Sequence, residues 1–177
     1  MALFGWHRTK RDARPYAALT PSLAAQLRAV PPSRDGRLEY YPCRVTLDDG
    51  RRLDCVYVVD ADAYIKMWGV WPEDDPGKSS VRIEQVVGIE ESPFRIPPPL
   101  ANQLYKAGES GMGYTLFQAE FADGTKQTCV TGNAVDFIAL PPGLRGSDVV
   151  RVIPHAGRGE NPHQSPDYFW CLHRTPK

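Results

Sequence analysis

"VTLDDGRRLDCV", residues 45–56, and "AEFADGTKQTCV", residues 119–130, carry the same Asp-Gly pair and then, five residues past the glycine, the same Cys-Val pair. Around each turn apolar and polar side chains alternate, as in a hairpin with one buried face. If Gly50 takes the left-handed position of a three-residue loop, Leu47 faces Arg51, Val45 faces Leu53, Cys43 faces Cys55 and Tyr41 faces Tyr57. A two-residue loop would set Val45 against Asp54, so the hydrophobic pattern selects the longer turn. In the second stretch the same register places Phe117, Ala119 and Phe121 on the inner face, with Phe117 opposite Cys129.

Outward from the hairpins the correspondence continues. "LAAQL" at 23–27 is matched by "LANQL" at 100–104, and Tyr40 by Tyr114. Tyr64-Ile65 is matched by Phe137-Ile138, Pro76-Gly77 by Pro142-Gly143, and Val86-Val87 by Val152-Ile153. These ordered matches predict two copies of one unit, 20–91 and 96–156, joined by the Pro-rich connection 92–99. A basic arm, 1–19, precedes them. A polar linker with an aromatic C-terminal strand, 157–177, follows.

Each unit opens with a short helix. Thr20 is the N-cap of the first, Pro21 suits its first position, and Leu23, Leu27 and Val30 recur at helical spacing. Leu100 and Leu104 repeat that spacing, with Gly108 as a C-terminal cap. "YIKMW" or "DFIAL" then supplies a third strand and "RIEQVV" or "VVRVI" a fourth. The expected class is α+β, predominantly β: a tandem internal duplication of a short helix followed by about four antiparallel strands, packed as one pseudo-twofold globule.

Twenty-one basic residues balance 21 acidic ones, so no global field draws the chain to phosphate backbones or anionic membranes. Met1–Tyr16 lacks the apolar run of a secretory signal, and no stretch is long enough to span a bilayer. A cytoplasmic protein is expected. Cys43, Cys55, Cys129 and Cys171 show neither metal-ligand spacing nor a disulfide framework, and an apolar Phe117 stands where Cys43 would recur. They read as small buried groups. The spacing of His155, His163, Cys171 and His173 fits no familiar metal module, and no cofactor is predicted.

No nucleophile with a base, no dinucleotide fingerprint and no H-E-x-x-H is present. "GESGM" is not a nucleophile elbow, and the glycines of 107–114 precede a strand rather than a helix. The largest difference between the units is the insertion "WGVWPED" at 68–74. Trp68 and Trp71 beside Glu73, Asp74 and Asp75 form an aromatic and acidic tip of the kind that anchors a protein partner. The expected function is therefore a non-enzymatic binding protein, an immunity-type inhibitor or adaptor, whose partner presents a basic patch. One alternative is a small enzyme with a pocket at the junction of the units, using Glu109, Ser110, Asp136 or His155. A second is weak nucleic-acid binding through Arg8, Lys10, Arg11 and Arg14, interleaved with Phe4, Trp6 and His7.

Overall fold

The computed structural model describes residues 14–176. Helix α1 (Pro21–Arg28) starts as its sequence dictates: the Thr20 hydroxyl accepts the Leu23 N–H at 3.2 Å, and Pro21 fills the first turn. Leu23 and Leu27 point inward. Next come β1 (Ser33–Asp35), β2 (Leu38–Leu47) and β3 (Arg52–Asp60), which pair antiparallel in that order. Near the turn the register is the expected one. Val45 faces Leu53, the Leu47 N–H donates to Arg51 O at 2.9 Å, and Gly50 has φ +84°.

Farther along, the register shifts. Cys43 faces Val56 and Tyr41 faces Val58, because β3 carries one extra residue opposite Arg44. The bulge falls where Arg44 Nε meets Asp54 Oδ1 at 2.5 Å on the half-exposed side. Its consequence is a change of face. Cys43 packs with Val45, Leu47, Val56 and Val58, whereas Cys55 packs with Tyr57, Val59 and Trp170 on the other side of the sheet. The expected pairing of Cys43 with Cys55 does not form.

A second departure follows β3. Residues 64–68 were expected as a strand and instead form most of helix α2 (Ala61–Trp68). Asp60 caps it by accepting the Ala63 N–H at 2.9 Å, and Gly69 ends it at φ +75°. Past a 3-10 turn at Pro72–Asp74 lie β4 (Ser79–Ser80), another such turn at Ile83–Gln85, and β5 (Val86–Glu91), antiparallel to β2.

The second half begins with α3 (Pro98–Ala107), then β6 (Thr115–Phe121), β7 (Lys126–Thr131) and β8 (Val149–Pro154). Here the hairpin register holds throughout, with Phe117 opposite Cys129, and β8 adds antiparallel to β6. Residues 136–140, the expected counterpart of a third strand, form no strand; Phe137 makes a single bridge to Arg95. Two late strands, β9 (His163–Gln164) and β10 (Phe169–His173), join in parallel: β9 beside β7, and β10 between β3 and β4. The strands are therefore not all antiparallel. The fold is mixed α/β and predominantly β, in two sheets ordered β1-β2-β3-β10-β4, with β5 also on β2, and β8-β6-β7-β9.

Because β10 covers the edge of β3, the first sheet is buried on both faces there, and "CVYVV" at 55–59 reads as a continuous apolar run. One face packs under α1. The other is an aromatic layer around Trp170, whose ring stands 5.0 Å from Tyr57, 5.1 Å from Tyr64 and 5.9 Å from Trp68. That layer reaches Ala134 and Phe137 of the second half and so lies along the seam between the sheets. A third cluster, with Leu104, Phe117, Phe121 and Ile138, fills the space between α3 and the second sheet.

Candidate functional site

The segment after α2 is ordered by its own side chains. Trp68 packs on the Trp170 layer, and Lys78 Nζ sits 4.3 Å from the Trp68 ring, 3.0 Å from the Tyr64 hydroxyl and 3.4 Å from Asp75. Trp71 rests on Tyr16, with ring centroids 5.2 Å apart. The acids are engaged as well. Arg14 reaches Asp74 at 2.5 Å and Glu73 at 3.6 Å, and the Tyr16 hydroxyl donates to Glu73 at 2.9 Å. Burial of that hydroxyl, with the neighbouring Glu73, pushes the Tyr16 pKa well up. The five residues singled out in the sequence thus form one interlocked patch, with Trp68, Trp71 and Asp75 half-buried, Glu73 and Asp74 exposed, and a cation beside each acid. Two apolar side chains that the sequence reading passed over stand out from it: Met67 is 48% exposed and Val70 36%. Helical spacing across 61–68 would not have flagged Met67, since it lies three residues past the buried Tyr64, a spacing that predicts the same buried face.

Of the basic arm, Arg8, Lys10 and Arg11, with Phe4, Trp6 and His7, lie outside the described residues. Arg14 is spent on Asp74 and Glu73.

The four residues assigned to a junction pocket separate. Asp136 is fully buried at the seam, where it accepts from the Ser33 hydroxyl and, at 2.5 Å, from the Tyr105 hydroxyl. Its main-chain N–H donates to the Tyr57 hydroxyl at 3.1 Å. Arg95, 3% exposed, donates to Ser33 Oγ at 3.0 Å and to the carbonyl of Pro31, and pairs with Glu91 at 3.3 Å. Burial pushes the Asp136 carboxyl up, while Ser33, Tyr105 and Arg95 oppose the rise. This network ties β1, β3, the connection and α3 together; it is a clamp rather than an open site.

Ser110 and His155, 45 residues apart, are brought together. Ser110 Oγ lies 2.8 Å from His155 Nδ1 and also accepts the Leu116 N–H at 2.8 Å. His155 Nε2 is 3.4 Å from the carbonyl of Ala107, and the Ser110 hydroxyl also lies 3.2 Å from the Leu116 carbonyl, which competes with Nδ1 for its one proton. Among the described residues His155 is the one non-glycine residue at positive φ, +60°. The pair sits on the outer surface, with His155 exposed. Glu109 turns away from it and accepts the Gly113 N–H at 3.0 Å.

All four cysteines are free and buried. Burial raises Cys55 to about 12, Cys129 to about 11, Cys171 to about 12 and Cys43 further still. Among the described residues no three His, Cys, Asp or Glu side chains converge as a metal site, and no helix is long and apolar enough to cross a membrane. Comparison with protein families, curated proteins and solved structures finds no match to this chain.

Proposed function

We propose that the chain is a non-enzymatic protein-recognition module, an inhibitor of the immunity type or an adaptor, that engages a partner through the patch running from Met67 to Asp75. The observation carrying this reading is the patch itself. Met67 and Val70 project from a frame made rigid by Trp68, Trp71 and a buried Pro72, so little side-chain entropy is left to lose on docking. Glu73 and Asp74, still partly exposed beside Arg14, form a polar rim suited to a basic partner surface. The four unpaired cysteines suit a reducing compartment and hence a cytoplasmic location.

The same proposal takes 20–91 and 96–156 as two copies of one unit in pseudo-twofold packing. In support, β2 pairs with β3 and β5 as β6 pairs with β7 and β8. The Asp48 N–H donates to Gln85 O as the Ala122 N–H donates to Asp148 O, each at 2.8 Å. Each of β3 and β7 also gains a parallel neighbour from the tail. Duplication leaves the α2 patch, present in one half, as the feature not needed to build the unit.

The test is capture of a partner from the source cells with wild type and four variants. Met67→Asp and Val70→Asp lose the partner, whereas Val87→Asp and Val150→Asp, at comparably exposed positions elsewhere, retain it. Capture indifferent to Met67 and Val70 overturns the reading.

One observation favours an enzyme instead, the Ser110–His155 contact. It predicts that a fluorophosphonate phosphonylates Ser110, fluoride leaving and the hydroxyl proton passing to His155, and that Ser110→Ala and His155→Gln both abolish labelling. An unlabelled wild type removes it.

A further inference from the structure

Between α2 and α3 the seam opens into a cavity of about 370 Å³, with Asp35, Met67, Trp68, Tyr105, Glu109 and Asn133 among its walls. That volume is near the lower end of small-molecule sites. Its lining is acidic without compensation. Among the described residues neither Asp35 nor Glu109 has an ion-pair partner; Glu109 accepts one N–H from Gly113, and the Asp35 carboxylate accepts no hydrogen bond. Burial pushes the Asp35 carboxyl up.

The walls also hold a buried polar atom that has no partner among the described residues, Oδ1 of Asn133. Behind them lies Tyr40, fully buried and stacked on Tyr105 at 5.4 Å, its hydroxyl next to the Trp68 indole N–H. Burial raises that hydroxyl, and the charge of Asp35 adds to the rise, so Tyr40 and the cavity wall are electrostatically one environment. Folded proteins seldom leave such an atom unmatched, and Asn133 Oδ1 in the wall of a cavity that also holds two unpaired carboxylates points to an occupant.

We propose that this cavity binds a small organic ammonium ion. Asp35 and Glu109 supply the counter-charge, the Tyr105 and Trp68 rings supply an aromatic wall that favours a cation, and Asn133 Oδ1 accepts from the ligand's N–H. An anion would meet two carboxylates and a carbonyl. A bare metal ion would meet aromatic and thioether surface in place of a full ligand shell. Lys78 already sets an ammonium 4.3 Å from the Trp68 ring, outside the cavity lining, which leaves Tyr105 as the principal ring for the ligand. The site goes beyond protein recognition and does not depend on it, although Met67 and Trp68 border both surfaces.

The full chain is titrated with 2-phenylethylamine, and with 1,5-diaminopentane as a second amine, while the Trp68 indole N–H resonance is followed after assignment with Trp68→Phe. A saturable shift is expected with an amine and none with 2-phenylethanol or 3-phenylpropionate. Asp35→Asn, whose side chain supports no hydrogen bond, and Glu109→Gln, on the exposed loop, each weaken binding about tenfold with the melting temperature unchanged. The proposal is overturned if neither amine moves the resonance. It is equally overturned if the alcohol moves it as far, or if both charge-removing variants bind as tightly as wild type. Should Asp35→Asn unfold the chain, Glu109→Gln alone decides.

Discussion

Replacing Asp136 by alanine removes the group on which the seam converges. In the native fold its carboxylate takes the hydroxyls of Ser33 and Tyr105 and lies within the electrostatic reach of Arg95, itself 3% exposed. Alanine leaves both hydroxyls without their acceptor and Arg95 with only the half-exposed Glu91 as counter-charge. Breaking a buried charge network from one side costs about 3–5 kcal/mol, and two orphaned hydroxyls alone cost about 1–3 kcal/mol each before the surroundings relax. Against a total stability on the order of 5–15 kcal/mol, such a loss leaves a marginal fold. Urea unfolding followed by tryptophan fluorescence measures it: the midpoint should fall sharply with the slope unchanged, since the surface exposed on unfolding is the same. Tyr105→Phe and the double variant complete a cycle whose coupling should lie near 0.5–3 kcal/mol because the two groups touch. A loss below about 1 kcal/mol for Asp136→Ala would refute the clamp.

His173 is 7% exposed, and its burial holds the imidazole pKa below the ordinary 6.5. The unfolded chain therefore binds the extra proton first, so stability is present above about pH 6.5 and falls as pH drops through the lowered folded value, by at most about 1.4 kcal/mol per pH unit. Urea midpoints between pH 7 and pH 5 should show this fall in wild type, and His173→Gln should flatten it. The four thiols, all buried and raised, should be inert to a colorimetric thiol reagent at pH 8 in the native state and react fully in denaturant. Rapid native labelling of any one would contradict its burial.

Local chemistry was legible wherever a residue acts on its own neighbours. Thr20 and Pro21 start α1, Gly50 and Gly124 turn the hairpins at φ +84° and +88°, and Gly108 ends α3. The burial of the four cysteines was legible too, because Phe117 answers Cys43 in the second hairpin and a side chain that tolerates phenylalanine belongs to a core. What the alternation of apolar residues could not express is the extra residue in β3. A bulge is stabilised by what it lets both faces bury, and here one of those faces exists only because β10 arrives from a hundred residues away.

The same dependence governs the candidate sites. "YIKMW" suits a strand by composition, yet Asp60 and Gly69 bracket it as a helix, so Trp68 packs onto Trp170 and leaves Met67 and Val70 outside. Ser110 meets His155, and Asp35 comes to share a cavity with Glu109, through the folding of loops and the closing of the seam, distances that no spacing in the chain encodes. By itself the sequence determined the start of α1, the end of α3, the hairpin turns, the inward face of the second hairpin and the neutral charge balance, the local features set within a few residues by backbone sterics and side-chain polarity. Only the tertiary structure decided which aromatics are anchors, which acids are paired and which remain without a counter-ion, because pairing is a property of neighbours in space.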